Sequence, residues 1–336
     1  MAIGERIKLA RKRMNMSQDA LAQLAQVSKM AISKYEREQD IPSSGVLLRL
    51  SAALQVPVEF FFRPPGTQVQ IQEFRKHATL GMKRQQAIMA QIQEWLERYF
   101  EIEMILQEEP PAPFDLYHLP AGSSEDVESA AMQLRDRWGL GEDAIENLME
   151  LLEDKQIKVG LVNGFDHFDA CTFRANGSPV IVTKAGQPGD RQRFNLAHEL
   201  GHLVLDVKEG LEKEKAAHRF AGAFLVPAIT VRRELGNRRT DLNSNELYLL
   251  KRKYGLSMQA WVKRAADLEI IQKHTAERLF RSFSFQGWRK VEPGEQLAPE
   301  QPLRMQRLVY RALAEDLISP TRAEELLGQA LVPVYA

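Results

Sequence analysis

A single cysteine, Cys171, among 336 residues leaves no internal disulfide framework and no thiolate-rich metal site, which suits a reducing compartment. That lone thiol reads as a small half-buried strand residue and not as a nucleophile. Long apolar runs are also missing: nothing approaches the ~20 consecutive residues that a membrane-spanning helix needs. The opening Met1-Ala2-Ile3-Gly4-Glu5-Arg6 has no charged segment followed by an apolar core. A soluble, cytoplasmic protein with no membrane partner is therefore expected. Excess charge is absent too, because 45 Lys and Arg balance 45 Asp and Glu. Any affinity for nucleic acid must come from a local surface and not from a global field. The length is enough for two or three domains with ample core.

Against these absences, one stretch carries chemistry: Arg193-Phe194-Asn195-Leu196-Ala197-His198-Glu199-Leu200-Gly201-His202-Leu203-Val204-Leu205-Asp206. Leu196, Leu200, Leu203 and Val204 recur at helical spacing, so one face packs inward. His198 and His202, four apart, stack on a neighbouring face where two imidazoles can share one Zn²⁺. Glu199 lies on the same turn, where a carboxylate can take a proton from metal-activated water, the pattern of a His-Glu-x-x-His peptidase.

Downstream, Glu212 to Pro227 has helical apolar spacing and small residues that permit close approach, and Pro227 limits its continuation. Glu214 and His218 are four apart and share a face, and either could reach the open side of a metal held by two histidines. Here the chain resembles the ImmA/IrrE family of zinc metallopeptidases. In that family a His-Glu-x-x-His helix is followed by a second helix that supplies a Glu ligand and ends in a Phe-Ala-x-x-Leu-x-Pro-like segment, and Glu214 keeps the family's offset from the Ala221 to Pro227 segment here. The resemblance implies Glu214 as third ligand and His218 as an outer support for the ligands or the transition state. It also implies a protein substrate, often a repressor. Imidazole and carboxylate donors without thiolate suit Zn²⁺, with Mn²⁺ or Fe²⁺ as alternatives.

Residues 1–63 read as a compact helical unit. Ser17 caps one short helix, Gln26-Val27-Ser28 forms a tight turn, and Ser28 caps another helix from Lys29 to about Arg37. With Ile32, Tyr35, Glu36 and Pro42 in register, the segment resembles a Cro/CI-type (XRE) DNA-binding domain. In that geometry Lys29, Met30, Ser33 and Lys34 face the major groove, and Gln18 meets a phosphate at a helix N-terminus. Arg11 is expected to pair with Glu36 inside the domain. Ten Lys and Arg against six Asp and Glu make this segment locally basic, which suits a double-stranded operator.

Pro64-Pro65-Gly66 and Pro110-Pro111-Ala112-Pro113 read as joints. Between them, residues 69–75 alternate like a strand, and Met82 to about Leu106 forms a long amphipathic helix. That helix either packs on its own core or pairs with a second copy in a homodimer. Helices are predicted over 125–138 and 143–154, followed by strands over 157–162, 168–173 and 179–183, with Asn176-Gly177 as a hairpin turn and Asp166-His167 in another. An edge of this sheet could hold an extended peptide.

The fold class expected is α+β and mostly helical. An all-α helix-turn-helix domain (1–63), a linker strand and helix (64–113), a zincin-like metallopeptidase core with a small antiparallel sheet (114–235) and a helical region (236–336) follow one another. The function that fits is a DNA-binding regulator whose zinc endopeptidase cuts a repressor-type or antitoxin-type partner, or the chain itself. The competing reading is a non-proteolytic repressor or antitoxin that uses a peptidase-like domain for sensing or dimerisation.

Overall fold

The computed structural model describes residues 3–62, 69, 71–72, 81–108, 118–165 and 168–331. Two compact units result: Met1–Pro110, Gly164–Phe168 and Leu303–Ala336 form one, and Pro111–Asn163 with Asp169–Pro302 the other. This division runs differently from the boundaries read off composition. The joints at 64–66 and 110–113, strand positions 70 and 73–75, and the turn at Asp166-His167 lie outside the described residues. Among the described residues, no helix is long and apolar enough to cross a membrane.

The first unit begins with α1 (Ile3–Arg13), α2 (Gln18–Leu24), α3 (Lys29–Glu36), α4 (Ser44–Leu54) and a 3-10 turn over Val58–Phe62. Ser17 and Ser28 cap α2 and α3 as expected, each side chain accepting a backbone N–H at 3.1 Å from Ala20 and Ala31. Such caps satisfy donors that a helix start leaves unpaired. Ile7, Leu21, Ile32, Leu50 and Phe61 are fully buried in the core between these helices. A two-residue strand, β1 (Ile71–Gln72), precedes α5 (Met82–Ile105). α1 is tied to α5 by Arg6 with Glu97 and by Arg13 with Glu94, the latter at 2.8 Å.

In the second unit, β2 (Leu119–Ala121) leads to α6 (Ser124–Trp138), which starts in a capping box formed by Ser123 and Asp126. α7 covers only Leu148–Asp154. The helix predicted from residue 143 does not form there, because its carbonyls have other partners: Asp143 and Ile145 accept from Arg135 and Arg193, and Asn147 caps α7.

Strands β3 (Lys158–Val162), β4 (Ala170–Ala175) and β5 (Ser178–Lys184) follow. β4 and β5 are antiparallel, joined at Asn176-Gly177 with φ of 49° and 81°, as a tight hairpin requires. β3 runs parallel to β5. The sheet is thus mixed, not wholly antiparallel as expected: the hairpin occupies one edge of β5 and leaves the other to a strand that enters from the opposite connection. Its strands are almost continuously buried, as in a sheet covered on both faces. Cys171 is fully buried in β4, deeper than expected.

α8 (Gly189–Val204) packs on β4 and β5, and the chain then turns into β6 (Leu205–Val207), which pairs parallel with β2. α9 (Lys213–Leu225), α10 (Ala228–Leu235), α11 (Ser244–Tyr254), α12 (Met258–Asp267) and α13 (Lys273–Phe285) complete the unit around Leu196, Leu200, Phe220, Phe224 and Trp261. Finally α14 (Arg304–Ala314) and α15 (Pro320–Leu327) belong to the first unit. Their Leu308, Val309 and Leu326 cover Tyr99 and Ile102 of α5, so the chain's own helices bury this part of the α5 stripe.

Candidate metal centre

α8 and α9 cross at Gly201, where a Cβ would meet Phe220 Cδ1 at 3.0 Å and the Ala217 Cα at 3.3 Å. Only a residue without a side chain lets the second helix come this near. The result is convergence of side chains from both helices. His198 Nε2 and His202 Nε2 lie 3.1 Å apart, and the Glu214 carboxylate reaches them at 3.3 and 3.2 Å. His198, His202 and Glu214 form the cluster of metal-capable donors found among the described residues.

Three donor atoms with edges of 3.1–3.3 Å match what a tetrahedral zinc site demands, since ligand distances of about 2.0–2.2 Å imply donor separations of about 3.3 Å. Electrostatics agree. Burial, reinforced by repulsion from His202 and His218 and opposed by Glu214, pushes His198 down to about 3, so the ring is neutral at neutral pH and its lone pair is available. Burial alone would raise Glu214, but the facing histidines hold it below the usual carboxylate range. Two imidazoles and a carboxylate aimed at one point form a cation site by chemistry as well as by spacing.

Glu199 is buried, and its charge, after burial itself, helps raise the Cys171 thiol in β4. His218 packs its ring on His198 with centroids 4.4 Å apart and stacks on Phe194 at 5.7 Å. Glu212, the neighbouring carboxylate, is engaged by Lys215 at 2.8 Å.

Two anchors of α8 escaped sequence reading. Arg193 donates to the carbonyls of Ile145 at 2.6 Å and Glu146 at 3.2 Å and pairs with Glu300. Lys251, with no exposed surface, bridges Asp190 at 2.9 Å and Glu292 at 3.0 Å. A cation on an otherwise apolar helix face was the signal, because such a charge is buried only with a partner.

In the first unit, Arg11 bonds Glu36 at 2.8 Å, the internal pair expected. Gln18 donates its amide to the same carboxylate at 2.8 Å. Lys29 meets Asp19 at 2.7 Å with both side chains more than half exposed, Met30 is 67% exposed and Lys34 is exposed, while Ser33 is half-buried. α3 therefore offers an outward surface made of the residues singled out for DNA.

Residues 7–61 match the family model of helix-turn-helix domains, and residues 159–266 match that of the IrrE N-terminal-like domain. The chain therefore joins a helix-turn-helix domain to a domain of the IrrE-like peptidase family. Over 79 residues it is 34% identical to repressor protein C2 of Salmonella phage P22, a match covering 24% of this chain and 37% of that repressor. A crystal structure of ComR from Streptococcus suis aligns over 97% of this chain and 85% of its own, at 11% identity and a TM-score of 0.17, too low to carry an argument about fold.

Proposed function

We propose that this chain is a cytoplasmic DNA-binding transcriptional regulator with a zinc-dependent endopeptidase domain. The observation that carries the reading is the triangle of His198, His202 and Glu214 donors, with edges of 3.1–3.3 Å, beside a buried Glu199. Bound zinc would supply a Lewis acid that polarises a scissile carbonyl and acidifies water. Glu199 accepts the proton of the attacking water and delivers it to the departing amine. His218, stacked between Phe194 and His198, fixes the His198 ring and is available to donate a hydrogen bond to developing charge. The likeness to a phage repressor supports the DNA-binding half of this reading; the substrate we propose is a repressor-type partner or a sister copy's linker.

On the DNA side, Lys29, Met30, Ser33 and Lys34 of α3 read an operator's major groove while Gln18 contacts a phosphate. A homodimer would present two such helices to two half-sites.

Glu199→Gln tests the assignment. The variant should keep zinc and lose hydrolysis of a repressor substrate by at least a hundredfold, because general base work of this kind contributes about 10²–10⁴. Equal cleavage by parent and variant would remove Glu199 as the base. A parent chain that binds operator yet neither takes up zinc nor cuts protein would favour the non-proteolytic repressor.

A further inference from the structure

A cleft of about 840 Å³ opens beside the cluster, with His218 in its wall. This lies within the range of pockets that bury whole ligands, about 300–1,000 Å³. Its apolar surface comes from Phe194 on α8, Phe280 on α13 and Trp288. The charges around it are unequal, with seven Lys and Arg against three Asp and Glu.

The three acids are already committed. Asp190 and Glu292 share the buried Lys251, and Asp267 accepts from Lys263 at 2.6 Å. Arg219 and Arg264 are held by Glu128, so they form wall and not bait. Arg289 and Lys290 are exposed at the lining and make no side-chain ion pair among the described residues. Arg191 and Lys215 add exposed cations from α8 and α9, each with one exposed acidic partner that a ligand could replace.

These cations are spread over α8, α9, α12 and the 288–290 segment and do not converge on a single point. A ligand with several separated carboxylates matches that layout better than a single anionic head. Because His218 lines the cleft and packs its ring on His198 of the metal cluster, a chain lying at the cluster continues into it. We propose, resting on the peptidase reading above, that this cleft is a specificity site for an acidic segment of the protein substrate flanking the bond to be cut. Carboxylate side chains meet Arg289, Lys290 and their neighbours, and an apolar side chain packs against Phe194, Phe280 and Trp288.

The test measures binding without turnover. A fluorescein-labelled hexapeptide of alternating Glu and Leu, and its Gln and Leu counterpart, are titrated by anisotropy against the full chain carrying Glu199→Gln at low salt. The acidic peptide should bind on the order of tenfold tighter, since each of three exposed ion pairs contributes about a factor of two. Adding Arg289→Ala with Lys290→Ala, two exposed positions whose loss leaves the melting temperature unchanged, should shrink the difference to about twofold. Raised salt should do the same.

Equal affinity for the two peptides would overturn the proposal, and so would an unchanged preference in the double variant. Displacement of the acidic peptide by free phenylpropionate at equal concentration would assign the cleft to a small carboxylate instead and likewise overturn it. None of these readouts needs metal or hydrolysis. A chain that discriminates the peptides but takes up no zinc would defeat the peptidase reading, and with it the role in cleavage, and leave the cleft as a site for acidic peptide.

Discussion

Gly201→Ala probes the contact on which the cluster depends. The added methyl would sit 3.0 Å from Phe220 Cδ1 and 3.3 Å from the Ala217 Cα. The phenyl ring can tilt, but the Ala217 Cα is α9 backbone and moves only with the helix. Alanine improves helix propensity by about 1 kcal/mol relative to glycine, while overpacking a close contact costs about 1–3 kcal/mol. The net result is a loss of about 0–2 kcal/mol.

The larger effect falls on the metal. A shift of α9 by a few tenths of an ångström carries Glu214 away from the two histidines, beyond the roughly ±0.2 Å that zinc coordination tolerates. Zinc affinity, measured by competition with a chromophoric chelator, should fall on the order of tenfold, equivalent to about 1.4 kcal/mol. If Gly201→Ala gains the full helix-propensity increment and binds zinc like the parent, the close approach at Gly201 does not set the cluster.

Two further outcomes follow from the same contacts. Lys251→Met leaves Asp190 and Glu292 buried without their cation and should cost about 3–5 kcal/mol, read as a fall of roughly 6–20 °C in melting temperature; a loss under 1 kcal/mol would mean the bridge contributes little. Burial would lower the Lys251 proton affinity, but its bonds to the two carboxylates outweigh this and raise it above 10.5. The stabilisation is therefore complete below pH 10.5 and disappears as pH rises through the higher folded value, so the parent should lose stability in strong alkali more steeply than the variant. Lys29→Ala with Lys34→Ala should weaken operator binding and reduce the slope of log affinity against log salt by up to about 2 if both residues touch phosphates; a base-only role would relax sequence preference with the slope intact.

Local signals were readable where they were strong. The caps at Ser17 and Ser28, the Asn176-Gly177 hairpin and the His-Glu-x-x-His helix each carry a short-range cause, and the structure has an element at each position. What escaped was non-local. Leu205–Val207 continues the apolar rhythm of α8, yet its backbone pairs with Leu119–Ala121 far back in the chain, which no local pattern reports. The start of α7 moved because buried arginines took the carbonyls that a longer helix would have used. In the site, the two histidines declared themselves by spacing, and Glu214 required a resemblance to choose it over His218. The cleft was not legible, because Phe194, Lys263, Phe280 and Trp288 come together only through the packing of four separate segments.

Metal stoichiometry of the purified full chain is the most direct test. After saturation with Zn²⁺ and removal of excess, plasma mass spectrometry should find one zinc per chain in the parent and in Glu199→Gln, and less than about a tenth of that in His202→Ala and Glu214→Ala. A parent without zinc, or a Glu214→Ala variant that holds it as tightly as the parent, would contradict the account.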